Sequence, residues 1–196
     1  MDIGGPTLVS ERRPATQSST RVAAAAGNVA SAAVDGVASG HWGSGSCTAT
    51  ADPAISGPAW WQVDLGSSMA IKHIEVYHRT DCCQDRAVGA RVVVSTSADF
   101  QFGTACEVLD EAGGAPERVQ CNGLQGQYVT VDLSNKPNEM LSVCEVKVYA
   151  DVAIGDAHFT ADSPSVDGLT VLRRVKSRGE IRYSTAIRSV TTPWSQ

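Results

Sequence analysis

The chain lacks any apolar run approaching the roughly 20 residues that cross a membrane, and Met1–Gln17 lacks the apolar core of a signal peptide. It therefore reads as a mature or excised piece with no transmembrane segment. Positive charge is also short: 16 Lys and Arg stand against 21 Asp and Glu, a net charge of −5. Without a basic stripe there is no reason to expect a nucleic-acid partner. The signatures of common active sites are missing too. There is no Gly-x-Ser-x-Gly, no Gly-rich phosphate loop and no His-Glu-x-x-His. His73, His78 and His158 receive no role.

What is present is enough to fold. Of the 196 residues 42% are apolar, sufficient for a sizeable core. The six cysteines, at 47, 82, 83, 106, 121 and 144, form an even set with no Cys-x-x-Cys, which favours disulfides over zinc and an oxidising, extracellular compartment. Spacing alone leaves about fifteen pairings open.

Short runs rich in β-branched and aromatic residues, at 61–65, 71–77, 90–95, 128–133 and 143–149, are separated by Gly, Pro, Asn and Ser clusters. Ile74 and Val76 alternate with Glu75 and Tyr77, and Val146 and Val148 with Glu145, Lys147 and Tyr149, as half-buried strands do. The pattern predicts an all-β sandwich or jelly roll. Residues 21–34 are alanine-rich but interrupted by Gly27 and Asn28, so only a short helix is expected there. Trp60 and Trp61 face opposite ways on a strand, which puts at least one in the core.

The densest chemistry lies in Arg79-Thr-Asp-Cys-Cys-Gln-Asp-Arg86, straight after a predicted strand. Adjacent cysteines have Cα atoms about 3.8 Å apart, below the usual disulfide range, so a Cys82–Cys83 bond would be a rigid, strained knuckle. Two arginines flanking it can donate fixed hydrogen bonds to hydroxyls while an apolar face lies on the sulfurs. That is sugar-binding chemistry. Asp81 and Asp85 superficially suggest a glycosidase pair, but neighbouring arginines lower carboxyl pKa values and oppose a general-acid role. Asp81 more naturally orients the arginines, and no enzymatic activity is expected.

The Arg-x-Asp-x-x-x-x-Arg signature with its internal Cys-Cys follows Asp35-Gly36, Cys47 and Trp60-Trp-Gln-Val-Asp-Leu-Gly66. Cys144-Glu-Val-Lys-Val-Tyr149 comes after it. In this order the segments resemble the F-type lectin, or fucolectin, family over residues 8–150. The resemblance implies a discoidin-like, galactose-binding-like β-sandwich with disulfides Cys47–Cys144, Cys82–Cys83 and Cys106–Cys121. It also implies a Ca2+ site built from the side chains of Asp35, Ser46 and Glu145 and the carbonyls of Ala32, Val37 and Cys144, since calcium takes six to eight oxygens. Its sugar is terminal L-fucose on fucosylated glycans or glycoproteins, held by Arg79 and Arg86 with packing on Trp42, Cys82 and Cys83.

One departure stands out. Where the family carries Ser-Cys-Thr-His-Thr, this chain has Ser46-Cys-Thr-Ala-Thr50, so Ala49 replaces a histidine that hydrogen-bonds the sugar. His41, beside Trp42, is a candidate substitute. Loss of that bond leaves, as an alternative, an adhesion or protein-interaction module with weakened or altered sugar binding. A third reading is an accessory domain of a larger glycan-active enzyme.

Residues 151–196 form an extension of different composition, six basic residues against five acidic, where the first 150 carry ten against sixteen. Leu169–Val175 and Ile181–Val190 predict a β-hairpin around residues 177–180, with Ile181, Tyr183, Thr185 and Ile187 on one face. An isolated hairpin is marginal in water, so it is expected to pack on the core, on a second protomer in a homo-oligomer, or on a further domain. The interspersed acids make its basic residues a solvated face.

Overall fold

A computed structural model describes residues 5–22, 28–113, 116–151, 174–177 and 180–183. The chain divides into two units, Met1–Ala153 and Ile154–Gln196. In the first, the strands are β1 (Thr7–Leu8), β2 (Ala15–Gln17), β3 (Thr48–Ala49), β4 (Trp60–Tyr77), β5 (Arg91–Ser95), β6 (Thr104–Val108), β7 (Glu117–Asp132), β8 (Ser142–Val143) and β9 (Glu145–Asp151). Among the described residues helix is confined to one turn, α1 (Pro53–Ser56), and to short 3-10 turns at Ala30–Val34, Trp42–Ser44 and Phe100–Phe102. The helix expected over 21–34 is thus reduced to the turn Ala30–Val34, with residues 23–27 outside the description.

Seven antiparallel strands lie in the order β1-β9-β4-β7-β5-β6 with β2 beside β4, and β3 pairs with β8 separately. The two long strands make this an all-β sandwich. β4 runs 18 residues and β7 runs 16, and their pairing slips between Asp64 and Met69 and again between Ile71 and His73. Gly66 (φ +85°) sits in the first irregularity and Asn122 (φ +51°) faces the second. Bends of this kind let one strand serve two layers. Runs separately expected at 61–65 and 71–77 are therefore halves of one strand. The first half of β7 and all of β6 were missed, because polar residues and glycines dilute the alternation there.

The core fills the space between the layers: Trp61, Leu65, Ile71, Ile74, Val92, Val129, Val131, Val146 and Val148 are fully buried. Trp61 is the inward member of its pair, and its indole N–H donates to the Ala30 carbonyl at 2.8 Å, tying the first 3-10 turn to β4. Val146 and Val148 point inward as the alternation predicts, but Glu145 is buried as well, at 1% exposure. Three disulfides close the unit: Cys47–Cys144, Cys82–Cys83 and Cys106–Cys121, and no described cysteine is free. The first spans 97 residues and bridges the starts of β3 and β9; by chain-entropy reasoning such a closure stabilises by about 4–5 kcal/mol.

In the second unit β10 (Arg174–Ser177) and β11 (Glu180–Tyr183) pair antiparallel, with Ser177 opposite Glu180. Their register matches the hairpin expected around residues 177–180. Leu169–Arg173, Thr185 and Ile187 lie outside the described residues.

Candidate functional site

Where β4 ends, the chain enters the segment that carries the arginines. His78 is buried, its Nε2 3.0 Å from Glu117 Oε2 on β7, and Glu117 Oε1 accepts the Asp110 N–H at 2.7 Å. This pair pins the root of the loop to the sheet. Two residues on, the Thr80 N–H donates to the Gly40 carbonyl at 2.8 Å. A Cβ at Gly40 would lie 2.7 Å from the His78 carbonyl oxygen, so only glycine permits the two loops to cross here.

That crossing sets Trp42 against Arg79. The guanidinium lies 4.5 Å from the indole centroid, a cation–π contact, and Arg79 is only 7% exposed. Its Nε and Nη2 donate to Asp81 Oδ1 and Oδ2, each at 3.0 Å, in a two-pronged pair. Asp81 also accepts from the Trp42 N–H at 3.3 Å and the Cys82 N–H at 3.0 Å. The bond from Arg79 above all holds its carboxyl down at a pKa of about 2. Asp81 is thus the hinge pin of the cluster, which fits an orienting role and opposes a proton donor.

Next comes the cysteine pair. Cys83 adopts a left-handed φ of +55°, rare for a residue with a Cβ, and its carbonyl accepts the Arg86 N–H at 3.3 Å. The knuckle therefore turns the chain back so that Arg86 follows within one turn. Arg86 Nη1 is buried without a hydrogen-bond partner. Desolvation, then the nearby charges of Arg21 and Arg79, lower the pKa of Arg86, with Asp85 and Glu139 acting in the opposite direction. A desolvated donor with nothing to bond is costly unless a ligand completes it.

Ala49 has no accessible surface. It sits on β3, opposite Ser142 of β8. His41 lies exposed, and its Nδ1 accepts the Gly43 N–H at 3.1 Å, capping the turn that carries Trp42.

A second constellation gathers around the Cys47–Cys144 bridge, which joins the neighbours Ser46 and Glu145. Ala32, Ser46, Cys144 and Glu145 are buried, while Val37 is 48% exposed. Asp35 ends the Ala30–Val34 turn, and its Oδ1 accepts the Val37 N–H at 2.7 Å. Glu145 carries a buried Oε2 with no partner, and burial first, then the charge of Asp35, push its pKa up to about 7. Lys147 and the Gly36 N–H act in the opposite direction, while the charge of Glu11 adds to the rise. Among the described residues no three His, Cys, Asp or Glu side chains converge as a metal cage. The two carboxylates, the Ser46 hydroxyl and backbone carbonyls are hard oxygen donors of the kind a calcium ion takes, and the orphaned Glu145 oxygen suits one.

Sequence reasoning overlooked Arg21, Glu11 and the His78–Glu117 pair, none of which carries a local pattern. His73, also left without a role, stacks on Tyr149 at 4.5 Å and lies 2.9 Å from Arg118 Nη2 on the sheet. A cleft of about 500 Å3 is lined by Ser18, Trp60, Arg91 and Phe100 among others, and none of the arginine-cluster residues lines it.

The chain matches the F5/F8 type C family described as NedA-like, galactose-binding domain over residues 32–131. It is 32% identical over 148 residues to Fucolectin of Anguilla anguilla, covering 73% of this chain and 90% of that one. It is 34% identical over 122 residues to Fucolectin-6 of Anguilla japonica, covering 62% and 63%. In three dimensions it is similar to a fucolectin from the serum of striped bass, Morone saxatilis (TM-score 0.67, 31% identity, 76% of this chain and 49% of that one). It is also similar to the lectin domain of Lectinolysin complexed with Lewis B antigen (TM-score 0.61, 30% identity, 74% and 98%). The chain spans less than two thirds of the length of Fucolectin-6 and about half that of the striped bass lectin.

Proposed function

Because the chain belongs to the fucolectin, or F-type lectin, family, we propose that it is a secreted lectin that binds terminal L-fucose, or a closely related sugar, on glycans and glycoproteins without converting it. The observation that carries this reading is the preset cation pair. Arg79 is locked by Asp81 and Trp42, and Arg86 holds a desolvated, unpartnered Nη1 nearby. Fixed guanidinium donors lose little entropy on meeting ring hydroxyls. The free part of the Trp42 ring and the Cys82–Cys83 knuckle offer apolar surface for the sugar's C–H face. Such a site orients and holds; no group in it is poised to move a proton, since Asp81 stays ionised far below neutral pH.

Calcium belongs to this proposal as a structural ion. Asp35, Ser46 and Glu145, with the carbonyls of Ala32, Val37 and Cys144, would hold it. A bound cation would neutralise two carboxylates that otherwise repel, and would set the loops flanking Trp42. Three disulfides and relatives that include a serum lectin support an extracellular setting.

A glycan array probed with the intact chain in calcium tests the reading. Binding confined to fucosylated structures supports it. A silent array, from protein shown to be folded, would shift the case to a protein-interaction module on the same scaffold.

A further inference from the structure

Three adjacent strands carry a row of side chains on the outer face of the sheet. Trp60 of β4 and Arg91 of β5 both stand opposite Asp132 of β7 in the strand register. Their neighbours Trp61, Val92 and Val131 are buried in the core, so the alternation along each strand sends Trp60, Asp132 and Arg91 to the other side. Trp60 and Arg91 line the cleft of about 500 Å3, together with Phe100, Gln101, Ser18 and Ser134 among others. We propose that this cleft is a second glycan-binding site that takes a neutral pyranose unit. The C–H face of the ring lies on Trp60 and Phe100, and its hydroxyls meet Arg91 and Gln101. Trp42, Arg79 and Arg86 do not border the cleft, so the inference stands apart from the fucose-binding reading above.

Each wall of the cleft is held from behind. Arg91 donates from Nε, at 3.2 Å, and from Nη2 to the same Oδ2 of Asp132, whose Oδ1 accepts the Ser134 N–H at 2.9 Å. The Asp132 side chain is fully buried while that of Arg91 is 47% exposed, so the guanidinium is fixed on one edge and open on the other. Ser18 clamps the Trp60 backbone: its Oγ accepts the Trp60 N–H at 3.2 Å and its N–H donates to the Trp60 carbonyl at 3.0 Å. Gln62, two residues along the same face, donates to the Ala98 carbonyl at 3.0 Å and anchors the loop that brings Phe100 over the sheet. There the Phe100 and Trp60 rings meet with centroids 5.7 Å apart and planes tilted by 52°, both half-buried. Among the described residues the Trp60 indole N–H, Arg91 Nη1 and the Gln101 side-chain amide make no hydrogen bond, which leaves three donors around the aromatic pair.

An aromatic wall beside fixed donors suits a sugar ring, and the cleft falls within the roughly 300–1,000 Å3 of small-molecule sites. Its charge selects the kind of sugar. Arg91 is the only charged residue lining the cleft among the described residues, and Asp132 behind it offsets that charge. Asp99, beside Phe100 in the chain, adds a further negative charge. With no net positive charge to recruit a carboxylate or sulfate, a neutral ring is favoured over an acidic one.

Two-dimensional nitrogen–proton NMR of the intact chain tests this, read at the Trp60 indole N–H, whose peak is identified by its absence in Trp60→Phe. The probes are methyl β-D-glucopyranoside, its C4 epimer and the corresponding methyl β-D-glucuronide. At least one neutral glycoside should shift the Trp60 peak saturably in the wild type and equally in Arg79→Ala, with the glucuronide weaker. Phe100→Ala should weaken that binding about tenfold or more, and Arg91→Lys, which keeps a charge against Asp132, severalfold. If Phe100→Ala fails to fold, Phe100→Leu takes its place, keeping bulk without the flat face. No Trp60 shift with either neutral glycoside, or a shift that Phe100→Ala leaves unchanged, overturns the site. A response to the glucuronide alone overturns the neutral-sugar assignment. A response lost in folded Arg79→Ala places the ligand at the arginine cluster and overturns the inference, whereas failure at Trp60 leaves the fucose-binding reading untouched.

Discussion

Arg79 and Asp81 meet edge to edge, Nε to Oδ1 and Nη2 to Oδ2 both at 3.0 Å, so a residue two positions along the chain fixes the plane in which the buried guanidinium lies. Asp81→Asn keeps the size of the side chain but leaves one acceptor where there were two. Fucoside affinity should fall about fivefold to a hundredfold, with no change in which sugars are preferred. Calorimetry on the variant checks this, and an unchanged affinity would remove Asp81 from the site.

The same pair sets a pH limit. The folded-state pKa of Asp81 is lowered from 3.8 to about 2. A depressed carboxyl contributes stability that is fully present above its unfolded value and is lost as pH falls through the folded one. The contribution should therefore persist to about pH 4 and fade between 4 and 2. Comparing melting temperatures of wild type and Asp81→Asn over that range reads it directly: the gap should narrow as pH falls.

Glu145 runs the other way. In the metal-free protein its raised pKa means that its contribution is favourable below about 4.5 and is lost as pH rises through about 7. Glu145→Gln should thus melt higher than wild type at neutral pH without calcium. Calcium should raise the melting temperature of wild type by mass action, and should not raise that of the variant. Equal responses to calcium would exclude Glu145 as a ligand.

Trp42 joins the two halves of the pocket, since its ring faces Arg79 and its backbone N–H meets Asp81. Trp42→Ala removes both the cation–π partner and the apolar wall, and should weaken fucoside binding more than tenfold. A tryptophan fluorescence change on adding fucoside, absent in the variant, is the accompanying readout.

Of the three disulfides, Cys82–Cys83 should open first under mild reductant. Cys82 is exposed and Cys83 holds a left-handed backbone, whereas Cys47, Cys144 and Cys121 are buried. Mass spectrometry after limited reduction and alkylation should find label on residues 82 and 83 before the others, with fucoside affinity falling in step.

Much of this was legible in the sequence because it is local. Arg79, Asp81, Cys82, Cys83 and Arg86 lie within eight residues, and their motif shows in the linear order. The alternation around Ile74 and Val148 placed two inner strands correctly. What escaped depended on chain crossings. Residues 19–21 run alongside 49–51, and Glu145 is buried next to the Cys47–Cys144 bridge. No spacing rule announces either. The length of β4 was hidden for a related reason: Gly66 and the exposed residues after it read as a turn, whereas they form the bend by which one strand serves two layers.

The central claim is that Arg79 and Arg86 form a preset sugar site. Titration of methyl α-L-fucoside into wild type, Arg79→Ala and Arg86→Ala, in calcium and with matched melting curves, tests it most directly. The account predicts saturable binding at one site in the wild type and none in either variant. Wild-type binding that survives both substitutions, or no binding by a folded wild type, would contradict it.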